Sequence, residues 1–358
     1  MLILDLPNEI QSEIFTFAHR DNGTLLLPVE VILSHVCSEW RDIVINLPIL
    51  WTAFKFEAHR RTSVPFDKLE EYLSRSKTQL LELYFDIYFP NISLANQYFT
   101  LLDIVIAQAY RWRRFTLFTD LKGRPIGIVE GLHRLNGLRQ LNAPNLEYFA
   151  MCLAGVDWDA PDPGHINPSV LIGGAPRLSV IRIDTASHLH SLPPLSNMNT
   201  LTIQDPPFLK EYLCSFHTFR SILMVPTLTY LSIEPRLMVY PPSFGDLETL
   251  PPIVMPSLRT LRITRCDSIL FILWLLHAPL LETLMLHRLE TRPLSSGLRI
   301  STTSRPLPCS TAMAPPGHFT PATCIWSTLF STNLPCAQNT SSYRALTAHR
   351  QSKGIPVY

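Results

Sequence analysis

The sequence predicts an α+β / α/β solenoid in three parts: a helical module at residues 1–58, an irregular array of strand-bearing repeats at 59–290, and a low-complexity tail at 291–358. Three observations predict it. The opening stretch holds two segments whose apolar residues recur at three- and four-residue spacing, the period of a helix with one buried face. From about residue 76 to 286 a single pattern returns: a proline, then apolar residues two, five and seven positions later. After Glu290 the remaining 68 positions contain no acidic residue. A length of 358 residues accommodates two or three domains.

The first helix begins at Leu6-Pro7-Asn8-Glu9 and places Leu6, Ile10, Ile14, Phe17 and Ala18 on one stripe. Pro7 lies in the first turn, where a helix tolerates proline, and Glu9 complements the positive end of the helix dipole. The second helix is expected from about Val29 to Asn46, with Leu33, Val36, Cys37, Trp40, Ile43 and Val44 on one face. Pro48 ends it, because proline disfavours helix in the residue before it. Leu50-Trp51 follows as a third apolar anchor. Two or three short helices cannot bury this many large apolar groups alone. Part of their face is therefore expected to await a partner.

Four separated blocks carry a resemblance: Leu6-Pro7-x-Glu9-Ile10, Ile14-Phe15, Val36-Cys37-x-x-Trp40-Arg41-Asp42-Ile43 and Pro48-x-Leu50-Trp51. Over roughly residues 2–54 they resemble an F-box, and more closely the F-box-like domain of fungal proteins. The resemblance implies a helical hairpin that docks on a Skp-family adaptor, which links it to a cullin ubiquitin ligase in the cytoplasm, the nucleus or both. Carried over by position, Leu6, Pro7, Ile10, Ile14, Leu33, Val36 and Trp40 would face the adaptor or the helix core. The connection from Ala18 to Pro28, turning at Asp21-Asn22-Gly23, is longer than in a minimal F-box. The alternative is that these helices only cap a larger domain.

The repeat pattern is carried by Pro144 with Leu146, Phe149 and Met151; Pro176 with Leu178, Ile181 and Ile183; and Pro226 with Leu228, Leu231 and Ile233. Pro256 with Leu258, Leu261 and Ile263, and Pro279 with Leu281, Leu284 and Leu286, continue it. Met198, Leu201 and Ile203 keep the register without the proline, as do Trp112, Phe115 and Leu117, and Leu81 with Leu83 is a weaker first copy. The last two apolar positions alternate with polar residues, which is a strand signal. Helices are expected between copies at 67–77, 94–110 and 268–277. Copies recur at the spacing of stacked repeats, and the array resembles an irregular leucine-rich repeat of the kind that follows many F-boxes. An ordinary α/β domain whose strands happen to follow prolines is the rival.

In such an array the residues between the apolar positions point outward from the concave face. They include Tyr148, Ala150, Cys152, Val180, Thr200, Thr202, Ser232, Thr260, Thr264 and Thr283. The expected target-binding set is Arg182, Asp184, Gln204, Tyr230, Glu234, Arg262 and His287. Both charge signs with tyrosine and threonine suit a protein or peptide better than a cofactor pocket. Without a capping repeat, Leu281, Leu284 and Leu286 would leave an open apolar end.

Average usage would put roughly eight acidic residues in the tail. Its serine, threonine and proline content cannot bury enough apolar surface to offset ordering entropy, so disorder is expected there. Sequence foreign to a truncated array would look the same.

Composition narrows the function classes. A net charge of +1 gives bulk electrostatics no hold on nucleic acid or membrane, no secretory pattern opens the chain, and the longest apolar run, 269–276, is too short to span a bilayer. Seven cysteines without metal spacing point to a reducing compartment. Phosphate loops and nucleophile elbows are absent. His188 and His190 lack further ligands, and Asp157, Asp159 and Asp162 lack the glycine and distal glutamate of a calcium loop. Two arginine clusters, Arg111/Arg113/Arg114 and Arg259/Arg262/Arg265, read as solvated residues or as a receiver for an acidic or phosphorylated segment. The sequence thus predicts no enzyme, cofactor or metal. It predicts a substrate-recognition adaptor of a Skp-cullin-F-box ubiquitin ligase with an unidentified protein target, or alternatively a repeat-based binding scaffold outside any ligase.

Overall fold

The computed structural model describes residues 6–20, 28–58, 63–88, 92–120, 137–154, 169–184, 192–204, 213–234, 238–240, 250–264, 273 and 275–287. Helix α1 (Asn8–Arg20) starts one residue after Pro7, whose carbonyl accepts the first amides from Ile10 and Gln11. The expected second helix is two. Helix α2 (Val29–Ser34) closes with a tight turn in which the His35 and Val36 amides donate to Ile32 and Leu33. Cys37 is extended and caps α3 (Ser38–Ile45), its sulfur accepting from the Trp40 amide at 3.5 Å. A side-chain acceptor at that position restarts the helix in a new direction, which apolar spacing cannot reveal. Helix α3 stops before Pro48, as expected, and a short 3-10 turn (Pro48–Trp51) buries Leu50 and Trp51. The Trp51 indole N–H donates to the Val44 carbonyl at 2.8 Å, pinning the turn to α3.

Strand β1 (Ala53–Glu57) follows at once, so a strand of the sheet lies inside the segment expected to be helical to residue 58. Next come α4 (Phe66–Arg75), β2 (Leu81–Tyr88), α5 (Ile92–Ile106), a 3-10 turn (Ala109–Arg111) and β3 (Trp112–Asp120). The order continues through β4 (Tyr148–Ala154), β5 (Val180–Asp184), β6 (Thr200–Gln204), β7 (Leu213–Ser215), α6 (Phe216–Leu223), β8 (Tyr230–Ile233) and β9 (Met238–Tyr240). It ends with β10 (Ile253–Val254), β11 (Thr260–Thr264), β12 (Leu276–His277) and β13 (Thr283–His287). The helix expected at 268–277 is corrected at its end, where Leu276–His277 pairs in parallel with β10.

The architecture is α/β, and among the described residues it is built on a nine-stranded parallel sheet in the order β1-β2-β3-β4-β5-β6-β8-β11-β13. Each strand lies beside the preceding sheet strand in the chain, so the sheet grows in one direction. The prolines have a local cause. The amides of Leu146, Leu178, Met198, Leu228, Leu258 and Leu281 each donate to the carbonyl three residues back, closing six equivalent turns. In five of them proline is the second turn residue, where its fixed φ matches the turn. Another close approach involves Gly173, where a Cβ would come within 2.6 Å of the Gln140 carbonyl oxygen. Gly174 beside it has φ +118°, and no larger residue suits that pair.

Parallel register aligns the inward residues in two continuous rows. One runs Phe54, Leu83, Phe115, Phe149, Ile181, Leu201, Leu231, Leu261, Leu284, and the other Phe56, Phe85, Leu117, Met151, Ile183, Ile203, Ile233, Ile263, Leu286. The earliest copy is shifted from its expected position: Leu83 and Phe85 occupy the rows, and Leu81 pairs with Trp112. Helices cover these rows at the β1 end, where Phe54 meets Tyr72 of α4 at 5.5 Å and Phe56 meets Tyr98 of α5 at 5.8 Å. At the other end β13 is the last strand of the sheet among the described residues, and Leu284 and Leu286 are partly exposed.

Candidate functional site

Two surfaces stand out, one on the opening helices and one on the outer face of the sheet. On α1 the side chains that close inward are Gln11 and Phe15, with Phe15 set edge-on against Trp40 at 4.8 Å. The stripe read from the sequence faces the other way. Ile10 is 48% exposed, Ile14 40% and Phe17 72%, while Val36 at the end of α2 is 55% exposed. Ile32 is also exposed, and Pro7 with it. Leu6, Leu33 and Trp40 are half-buried, so none of the seven expected adaptor-facing residues is sealed inside. Large apolar side chains exposed along one stripe mark an interaction surface better than scattered ones do.

Beneath the stripe the core is closed by residues that the sequence did not single out. Glu30 is buried between the helices and accepts a hydrogen bond from the Tyr72 hydroxyl, and His19 Nδ1 lies 3.7 Å from its other oxygen. One carboxylate thus ties α1, α2 and α4 together. A glutamate between two valines carries no local signal that it will be buried.

The outer face of the sheet bears the expected target-binding row, and the structure divides it. Arg182, Tyr230, Glu234 and Arg262 are half-exposed and His287 is exposed. Asp184 and Gln204 are corrections: both are buried, so neither is free to meet a partner. Gln204 donates to Cys152 Sγ at 2.6 Å and accepts from Arg182 Nε, two strands and one strand away. Ala150, Cys152 and Ser232, also expected outside, are buried as well. Burial, with the Asp184 carboxylate next in effect, pushes the Cys152 thiol well above its ordinary range. The row alternates as expected, but it is buried at Ala150, Cys152, Asp184, Gln204 and Ser232.

Between β1 and β5 the outer face opens into a hollow of about 300 Å³. Thr116 is its small floor residue, with Tyr84 and Tyr148 as walls and Lys55, Arg114 and Arg182 along it. Each cation stacks on a ring: Lys55 on Tyr84 at 5.2 Å, Arg114 on Tyr148 at 4.5 Å and Arg182 on Phe118 at 5.6 Å. Burial, then the nearby Asp86 and Glu57 carboxylates, raises the Tyr84 phenol above its ordinary value.

The first arginine cluster is corrected. Arg111 is buried and structural, donating to the Gln79 carbonyl at 3.0 Å and to Ser76 Oγ at 2.6 Å. Arg113 pairs with Glu82, and only Arg114 faces the hollow. In the second cluster Arg259 pairs with Glu282, and Arg265 lies outside the described residues. So do His188, His190, Asp157, Asp159, Asp162 and the tail at 291–358. Among the described residues no group of three or more histidine, cysteine, aspartate or glutamate side chains is gathered to hold a metal ion, and no helix is long and apolar enough to cross a membrane. No protein-family model matches the chain, and no curated protein is similar enough to match it.

Proposed function

We propose that this chain is a non-catalytic substrate-recognition adaptor of a Skp-cullin-F-box ubiquitin ligase. Its opening helices act as the F-box-like module, and its parallel sheet is one side of an irregular leucine-rich-repeat solenoid that holds the protein target. The ligase supplies the chemistry, and this chain raises the local concentration of target lysines. One observation carries the proposal: Ile10, Ile14, Phe17 and Val36 stay exposed while Phe15 and Val44 beside them are sealed. A stripe so arranged supports a second protein as its cover.

The rival reading, a binding scaffold whose helices only cap the solenoid, is favoured by how Leu50, Trp51 and Glu30 close the β1 end of the core. Purified Skp-family adaptor separates the two. The proposal expects stoichiometric capture of the full chain, lost in Ile10→Asp and Val36→Asp proteins that melt at the parent temperature. No capture by folded protein refutes it and leaves the scaffold.

A further inference from the structure

We propose that the hollow between β1 and β5 binds an acidic segment of the target, its carboxylates held by Arg114 and Arg182. The proposal rests on the reading of the outer sheet face as the target-binding surface and names the kind of segment it takes.

The hollow follows from the register. Across β2 to β5 the row reads Tyr84, Thr116, Ala150, Arg182, so two small residues lie between two large ones. The lining holds three cations and one carboxylate. The carboxylate, Glu82, is taken by Arg113, and Lys55 is held by Glu57 at 2.8 Å. Arg114 and Arg182 are different. Their partners are aromatic faces and, for Arg182, the neutral Gln204 side chain. A guanidinium resting on a ring keeps most of its N–H donors available while its orientation is already fixed. Two such groups facing an open hollow complement carboxylates.

Parallel register sets Arg114 of β3 beside Tyr148 and Val180, so Arg182 of β5 lies two strands across and two residues further along, with about 12 Å between the two Cα atoms. Their guanidinium groups rest on rings of the strands alongside, Arg114 on Tyr148 of β4 and Arg182 on Phe118 of β3. Two long side chains held in this way can grip carboxylates of one segment.

The test is fluorescence anisotropy on the full chain with labelled peptides. One probe carries several glutamates, a second carries glutamines in their place, and a third carries lysines. The expected result is preference for the first probe, binding that weakens with added salt, and about tenfold loss in each of Arg114→Gln and Arg182→Gln. Arg259→Gln, changed at a paired arginine just before β11, should bind as the parent does. Arg114 is exposed, so Arg114→Gln reports on binding even if Arg182→Gln lowers the melting temperature through its lost contact with Gln204. Equal binding of all three probes, no binding, or affinity untouched by Arg114→Gln overturns the proposal. Capture by the Skp-family adaptor, measured on the same samples, is independent. Lost peptide binding with intact capture sinks only this inference, and lost capture with intact peptide binding sinks only the ligase reading.

Discussion

Phe15 and Phe17 are two residues apart on α1, and the structure assigns them opposite fates. Phe15 is 1% exposed and packs its ring against Trp40, whereas Phe17 is 72% exposed. Phe15→Ala removes a buried aromatic and leaves a cavity, at a cost of about 3–5 kcal/mol. Phe17→Ala removes a side chain that is mostly in water, and its effect should stay within about 0.5 kcal/mol of zero. Urea unfolding followed by tryptophan fluorescence separates the two. With a slope near 3 kcal/mol/M, Phe15→Ala lowers the midpoint by about 1 M or more and Phe17→Ala leaves it in place. Adaptor capture should then reverse the order for Phe17→Asp, with binding lost and the midpoint kept. Were Phe17→Ala as destabilising as Phe15→Ala, the stripe would be covered within this chain and the argument for an external partner would fail. Trp40→Ala is a poorer probe, since Trp40 also packs on Phe15 and mixes folding with docking.

Two further outcomes follow from buried polar groups. Tyr72→Phe strips the buried Glu30 carboxylate of a donor and should cost about 1–3 kcal/mol, read as a lower melting temperature; an unchanged melt would mean the joint between α2 and α4 contributes nothing. Alkali should destabilise the fold. Cys152, Tyr84 and Tyr98 hold their protons above the ordinary thiol and phenol values of 9.0 and 10.0, chiefly because they are buried. The unfolded chain releases those protons first as pH rises, so stability present below about pH 9 is lost above it. The urea midpoint should fall from about pH 8 to pH 11, and a midpoint that rises over that interval contradicts the assigned burial.

The sequence by itself determined seven strands of the sheet, β3 to β6, β8, β11 and β13, with their faces and their punctuation, but not β1, and it placed β2 one step early. Proline at the second turn residue and apolar residues five and seven positions on are local facts, and both became geometry: equivalent turns, then two aligned inward rows. The stripe of Ile10, Ile14 and Phe17 was legible for the same reason, since helical spacing alone puts them on one side. Spacing does not say which side is covered. That Phe15 closes the core while Ile14 stays outside, that Glu30 is buried by Tyr72 from 42 positions away, and that Cys37 breaks one expected helix into two were decided by tertiary contacts. Asp184 and Gln204 make the same point on the sheet. Alternation placed them on the outer face, but burial there depends on what neighbouring strands bring alongside, as Arg182 and Cys152 do for Gln204. The hollow at Thr116 likewise exists only because separate strands set small residues side by side, which no single stretch of chain encodes.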